Sequence, residues 1–244
     1  MREFGLIGRN ISYSFSEGYF TKKFEELGIT DCKYSTFDLK EISDLKELLE
    51  SKPNLKGFNI TIPYKEDVLA FLDDIDESAK SIKAVNTVII ENGKLIGYNT
   101  DTFGFKTSIK PFFEPQHRKA LILGTGGAAK AIAFVLKELG VDFFFVSRNP
   151  KKDDEVAYSD LTEQAIKNFP FIINCSPVGT YPDVDSAPGI PYEGITSGHL
   201  LYDLVYNPEE TKFLKNGKER GAATVNGLSM LHHQAEEAWR IWNR

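Results

Sequence analysis

Six residues, Gly124-Thr125-Gly126-Gly127-Ala128-Ala129, follow the run KALIL (119–123) and lead into an apolar stretch ending at Leu139. The spacing G-x-G-x-x-G/A between a strand-like and a helix-like run suits a dinucleotide diphosphate. Gly124 permits the tight turn, Gly126 lets the diphosphate approach the backbone, and Ala129 keeps the helix close to the sheet. Thr125, Gly127 and Ala128 complete the loop, and free N–H groups at the helix start face the diphosphate oxygens. The next strand-like run ends VSRNPKK, with no acid at Val146 or Ser147. An NAD site usually has Asp or Glu there to accept the ribose hydroxyls, whereas a 2′-phosphate needs cations. Arg148 can bind such a phosphate bidentately and stack beside the adenine, with Lys151 and Lys152 close behind. NADP is therefore expected over NAD.

Short polar strings end the strand-like runs of the first hundred residues: SYSFS (12–16), GFNITIPYK (57–65), AVNT (84–87) and GYNTD (97–101). They are followed in order by GTGGAA, Ser147-Arg148-Asn149, Asn174-Cys175-Ser176-Pro177-Val178-Gly179, and GLSMLHHQ ending at Gln234. Taken together the strings span essentially the whole chain, which resembles the shikimate dehydrogenase family. The resemblance implies reversible reduction of 3-dehydroshikimate to shikimate with NADPH, on the route to chorismate and the aromatic amino acids. It makes Lys65 and Asp101 the catalytic pair. It assigns Ser14, Ser16, Thr61, Asn86 and Gln234 to the substrate's carboxylate and hydroxyls, with Asn59 and Tyr206 beside them. It sets Ser147, Arg148, Asn149 and Lys151 at the adenosine end of the cofactor, Ser176, Pro177 and Val178 under the nicotinamide, Gly227 near its ring, and Val205 among the cofactor contacts. Two stretches depart from the family's usual pattern. After Ser16 the chain has Glu17, Gly18, Tyr19, Phe20 and Thr21 where the family commonly has Pro and, a few residues on, His-Asn or a similar pair, and Ser229 stands where glycine is usual.

Those residue types suit that chemistry. Reducing a ketone puts negative charge on its oxygen. A lysine ammonium can stabilise that charge and supply the proton, and in reverse its amine can take the hydroxyl proton. An adjacent carboxylate, Asp101, orients the lysine and keeps it charged, which leaves both electrostatic and proton-transfer roles open. Ser, Thr, Asn and Gln each give or take hydrogen bonds, as a polyhydroxylated ring requires. Hydride moves to carbon, so no metal is expected. Blander readings exist: Asp101 as a helix N-cap, Ser14 and Ser16 as turn residues, Lys151 and Lys152 as a solvated loop. His232 and His233 read as a core or surface pair, and Cys175 as a buried small residue with no histidine placed to activate it. Rival functions are an NAD-preferring quinate/shikimate dehydrogenase, a non-catalytic NADP-binding regulatory protein, and another two-domain NADP enzyme such as a methylenetetrahydrofolate dehydrogenase. The last needs an aromatic-walled cleft, which these polar strings do not suggest.

The elements that must hold these residues alternate. Strands are expected at 4–8, 34–37 and 56–62, helices at 19–27 and 42–53, and a helix start or short helix at 64–71. Residues 87–98 read as a hairpin around Asn92-Gly93. A weak helix at 103–109 is broken by Pro111 and Pro115. Then comes a βαβ unit from 119 to 147, strands at 171–175 and 199–206 separated by a loop at 181–198, and an amphipathic helix at 229–239. The fold class is α/β with two domains. A substrate-binding domain with a mostly parallel mixed sheet covers 1–101, a Rossmann domain covers 102–225, and a C-terminal helix, 226–244, returns to the first.

Composition bounds the partners. Hydrophobic residues make up 41% of the 244 and charged residues 26%, enough for proper cores. The net charge of -6 argues against nonspecific nucleic-acid binding but not against a local anion pocket. Two cysteines and four histidines make neither a disulfide framework nor a zinc spacing. The apolar run at 4–7 turns at Gly8, unlike a signal peptide, and no segment has membrane-spanning length. The expectation is a cytoplasmic enzyme of a small-molecule substrate, monomeric or homodimeric.

Overall fold

In the computed structural model, which describes residues 1–11 and 15–244, the chain divides into two units, residues 1–100 with 235–244, and residues 101–234.

The first unit is built from β1 (Arg2–Gly8), α1 (Phe15–Glu26), β2 (Cys32–Asp38), α2 (Leu45–Ser51), β3 (Leu55–Ile60), β4 (Asp74–Ile75), α3 (Glu77–Ile82), β5 (Thr87–Glu91) and β6 (Lys94–Tyr98). Its six strands lie in the order β2-β1-β3-β5-β6-β4. β5 is antiparallel to both its neighbours and the other ladders are parallel, so the sheet is mixed but mostly parallel. The β5–β6 hairpin closes with Glu91 opposite Lys94, leaving Asn92 and Gly93 at φ 52 and 77. A two-residue turn with both φ positive matches the right-handed twist of the strands, which is why Asn-Gly occurs there. Alternating residues point to opposite faces. Ile7, Phe58, Ile60 and Val88 join one apolar cluster with α2 and α3. Phe4, Tyr34 and Ile89 join another with Phe20 and Phe24 of α1 and with Ala238, Ile241 and Trp242 near the C-terminus.

The second unit contains α4 (Asp101–Ile109), β7 (Lys119–Leu123), α5 (Gly127–Glu138), β8 (Asp142–Ser147), β9 (Glu155–Ala157), α6 (Glu163–Asn168), β10 (Phe171–Asn174), β11 (Leu200–Asp203), α7 (Lys212–Lys218) and β12 (Ala223–Val225). A last helix, α8 (Leu228–Trp242), begins here and ends in the first unit. The sheet is wholly parallel in the order β12-β11-β10-β7-β8-β9. Numbered from β7, this is the doubly wound order 3-2-1-4-5-6 read from the β9 edge. Strands buried on both faces show it in their parity. Ile122, Phe171, Ile173 and Tyr202 pack with α4, α5 and Met230, while Leu121, Leu123, Ile172 and Leu201 pack with α6 and α7.

Two expectations need adjusting. Asp101 groups with the second unit, as does α8 as far as Gln234, because α4 buries Phe105 and Ile109 in the same cluster as Met230. A Cβ on Gly104 would lie 2.7 Å from the Met230 carbonyl oxygen. Residues 64–71, expected as a helix start or a short helix, form a turn followed by a short 3-10 helix, Asp67–Phe71, which buries only Val68. So short a segment cannot sustain an α-helix by itself.

Candidate active site

In the first unit the polar strings meet at strand ends. β3 hands over to residues 61–65, which turn tightly: Thr61 N–H donates to Ile7 O (2.9 Å) and Tyr64 N–H to Thr61 O (3.0 Å). The Lys65 carbonyl accepts from Val85 N–H at 2.8 Å, fixing the backbone of a half-buried lysine. Next to Val85, Asn86 is buried and its Oδ1 accepts from Thr100 N–H (2.7 Å), Thr100 Oγ1 (3.2 Å) and Thr87 Oγ1 (3.1 Å). Thr100 immediately precedes Asp101, which opens α4 as a buried residue.

Asn59 is tied into the sheet. Its Oδ1 accepts from Tyr34 at 2.9 Å, and its Nδ2 donates to the Asn86 carbonyl at 3.3 Å and to Thr87 Oγ1 at 3.0 Å. Burial pushes the Tyr34 phenol far up, so it stays a neutral donor, and Ser16 is hydrogen-bonded to it. Ser16 thus begins a polar chain through Tyr34, Asn59 and Thr87 to Asn86. Glu17, one of the departures from the family pattern, accepts from Thr36 Oγ1 at 2.7 Å and pins the start of α1 to β2. Ser14 lies outside the described residues.

In the second unit, the turn after β7 holds Gly124 at φ +117, a region that favours glycine. A Cβ there would sit 3.4 Å from the Cys175 carbonyl oxygen, so the loops after β7 and β10 lie together where the strand order reverses. Gly126 is the N-cap of α5, makes no side-chain cap, and has nothing within 4 Å of where a Cβ would be. The N-terminus of α5 is thus an open cradle for an anion, with Ala129 buried behind it. At the end of β8, Ser147 Oγ accepts from Asn149 N–H (3.2 Å). Arg148 is exposed and, among the described residues, in no ion pair. Lys151 N–H donates to Glu155 Oε2 (2.8 Å), while Lys152 Nζ lies 3.9 Å from Glu155. Open backbone donors with free cationic charge at the next strand end fit a dinucleotide that carries a 2′-phosphate.

Beyond β10, Asn174 Oδ1 accepts from Ser176 N–H (3.1 Å) and Oγ (2.6 Å), and its Nδ2 donates to Val178 O (3.3 Å). Val205 is buried and its carbonyl accepts from Gly227 N–H (3.1 Å). Gly227 could not be another residue, because a Cβ would fall 2.1 Å from the Leu204 carbonyl oxygen. Pro177, Tyr206 and Ser229 are exposed, and Gln234 is half-buried on α8. The structure therefore gathers Ser16, Asn59, Thr61, Lys65 and Asn86 in the first unit, and Asp101, Tyr206, Gln234 and the dinucleotide residues in the second. Desolvation, with the negative charges of Asp203 and Asp101 alongside, pushes the Cys175 thiol well up, although the residue, expected to be buried, is only half-buried. Sequence reasoning missed Tyr34, Thr87, Asp203 and Thr211. Asp203 had a visible signal, a lone acid inside the apolar run LLYDLV. No helix among the described residues is long and apolar enough to cross a membrane, and no three His, Cys, Asp or Glu among them could together hold a metal ion.

Residues 6–88 match the family model described as the shikimate dehydrogenase substrate binding domain. Over 255 aligned residues the chain is 41% identical to the shikimate dehydrogenase (NADP(+)) of Methanococcus maripaludis strain C6, covering 98% of this chain and 90% of that protein. The crystal structure of shikimate dehydrogenase 1 from Peptoclostridium difficile superposes with a TM-score of 0.85 at 36% identity, covering 100% of this chain and 92% of that one. The Thermus thermophilus shikimate 5-dehydrogenase, in complex with NADP(H) and shikimate, gives 0.88 at 32% identity, with 99% and 93% covered. Identity of this degree, sustained through both units, means that the chain belongs to the shikimate dehydrogenase family.

Proposed function

We propose that this protein interconverts 3-dehydroshikimate and shikimate with NADPH and NADP⁺, in the pathway to chorismate and the aromatic amino acids. Similarity to shikimate dehydrogenases across both units carries the reading. The enzyme is cytoplasmic, a monomer or homodimer, with a small-molecule substrate and no nucleic-acid partner.

Residues 124–129 hold the diphosphate on the open N-terminus of α5, and Arg148, with Ser147, Asn149 and Lys151, binds the adenosine end and its 2′-phosphate. Ser176, Pro177, Val178, Val205 and Gly227 border the nicotinamide. NADP bound there supplies the hydride chemistry. Ser14, Ser16, Thr61, Asn86, Tyr206 and Gln234 hold the substrate's carboxylate and hydroxyls. Asn59 acts by positioning, since both its amide N–H groups are spent on Asn86 and Thr87. During reduction the Lys65 ammonium faces the ketone oxygen, stabilises its growing negative charge and gives up a proton from Nζ to it. In the reverse direction the Lys65 amine accepts the hydroxyl proton, while Asp101 orients the lysine and hydrogen-bonds a neighbouring hydroxyl.

Absorbance at 340 nm with shikimate and NADP⁺, beside NAD⁺ and beside quinate, tests this. Shikimate with NADP⁺ should turn over at least about tenfold more efficiently than either alternative, a difference of about 1.4 kcal/mol. Lys65→Ala should lower kcat about 10²–10⁴-fold, the usual worth of a positioned acid–base group, with NADPH binding retained. Folded protein that binds NADPH but turns over no pair would sink the catalytic reading.

A further inference from the structure

We propose that Asp203 is a positioning residue for the nicotinamide end of the dinucleotide, one buried carboxylate that sets the shape of the two loops bordering it. The inference rests on the proposed function for the placing of the nicotinamide.

Asp203 ends β11 and is 0% exposed. Among the described residues it has no cationic partner, and its charge is met by three donors. Oδ1 accepts from Asn174 Nδ2 (2.9 Å) and Val205 N–H (3.0 Å), and Oδ2 accepts from Thr211 Oγ1 (2.6 Å). Burial pushes its pKa up to about 6, and the three hydrogen bonds oppose that rise. Burying a carboxylate without a cation is costly, so the site spends stability to keep an acceptor there.

That acceptor has a directional consequence. An ionised carboxylate only accepts, so Asn174 must turn its amide nitrogen towards Asp203 and its oxygen away. The oxygen then receives both Ser176 N–H and Ser176 Oγ, and the second amide hydrogen reaches Val178 O. Asp203 thereby fixes residues 176–178 through one intermediary. On its other side it holds Val205 N–H directly, and Val205 O holds Gly227 N–H. Thr211 donates to Asp203 while accepting from Leu214 N–H (3.3 Å) as the N-cap of α7, which braces the carboxylate from behind. Ser176, Val178, Val205 and Gly227 are the residues proposed to border the nicotinamide, and none of the adenosine-end residues joins this network.

The test compares two ligands on the full-length protein, NADPH and 2′-phospho-ADP-ribose, which lacks the nicotinamide. Asp203→Asn is nearly isosteric but no longer dictates which way Asn174 faces. It should weaken NADPH about tenfold, read from nicotinamide fluorescence, while 2′-phospho-ADP-ribose stays within about twofold, read by calorimetry; tenfold is about 1.4 kcal/mol. KM for NADP⁺ should rise in step, with KM for shikimate unchanged. Asn174→Ala cuts the link to residues 176–178, removes one of the three donors to Asp203 but leaves those from Val205 and Thr211 and the cap of α7 intact, and should give the same split even if the Asp203 variant does not fold. Equal weakening of both ligands, or of neither, in the folded variant overturns the proposal and makes Asp203 merely structural. Wild-type protein that binds NADPH without oxidising shikimate would instead count against the function, leaving the ligand comparison to decide the role of Asp203.

Discussion

Arg148 carries its meaning in its residue type and its place along the chain. The end of the second strand of a dinucleotide fold has a fixed job, and an arginine there with no acid before it signals a 2′-phosphate. Its guanidinium is exposed and, among the described residues, outside any ion pair, whereas Lys152 already has Glu155 nearby. Arg148→Gln should therefore raise KM for NADP⁺ by about 10- to 100-fold, as expected for losing a charged hydrogen bond of ~1.5–3 kcal/mol, and leave KM for NAD⁺ within about twofold. Equal effects on the two cofactors would mean that Arg148 acts elsewhere. Asp203 is the opposite case. Its identity was visible as an acid inside an apolar run, but beside Val205 of that run its partners come from β10 and from the start of α7, which the run itself does not disclose.

The strongly patterned elements were legible because their periodicity exceeds the noise: β7, α5 and β8, the Asn-Gly hairpin, and the amphipathic α8. The short ones were not. β9 and β12 are three residues each, and α7, KFLKNGK, carries a glycine in its interior that propensity alone would penalise. Packing explains that glycine: a Cβ on Gly217 would meet Leu201 Cδ2 at 2.4 Å. The same logic holds where α8 ends. Trp242 stacks on Phe4 with ring centroids 4.8 Å apart, donates from Nε1 to Val88 O (3.0 Å), and leaves Gly57 no room for a side chain. Trp242→Ala should cost about 3–5 kcal/mol, the range for deleting a buried aromatic, read as a lower urea midpoint. A loss under about 1 kcal/mol would mean that the end of α8 frays freely from the first unit.

Stability of the whole molecule should depend on pH through two buried groups that act in opposite senses. Asp203 is raised from 3.8 to about 6, so the folded state binds its proton more tightly than the unfolded chain does. Its contribution is greatest below the unfolded value and is lost as pH rises through about 6, on the order of 3 kcal/mol for a shift of about two units. His117 is pushed below 6.5 by burial, and its Nδ1 accepts from Glu114 N–H at 3.0 Å. It therefore contributes stability above 6.5 that is lost as pH falls below it. Urea unfolding from about pH 4 to about pH 8 should show the Asp203→Asn variant gaining on the wild type as pH rises, and His117→Asn losing its deficit as pH falls. Parallel curves for wild type and both variants would contradict both assignments.

The sequence by itself determined the α/β class, the dinucleotide turn and the preference for a 2′-phosphate. Each of these rests on residue types at fixed spacing along one stretch of chain, and local spacing survives without knowledge of the fold. Only the tertiary structure decided where α8 divides, that Asn59 spends its amide inside the sheet, and that Asp203 governs two loops through Asn174 and Val205. Apart from the local bond between Asp203 and Val205, those facts are hydrogen bonds and contacts between segments far apart in sequence. Their geometry follows from strand order and register, which no single stretch of residues encodes.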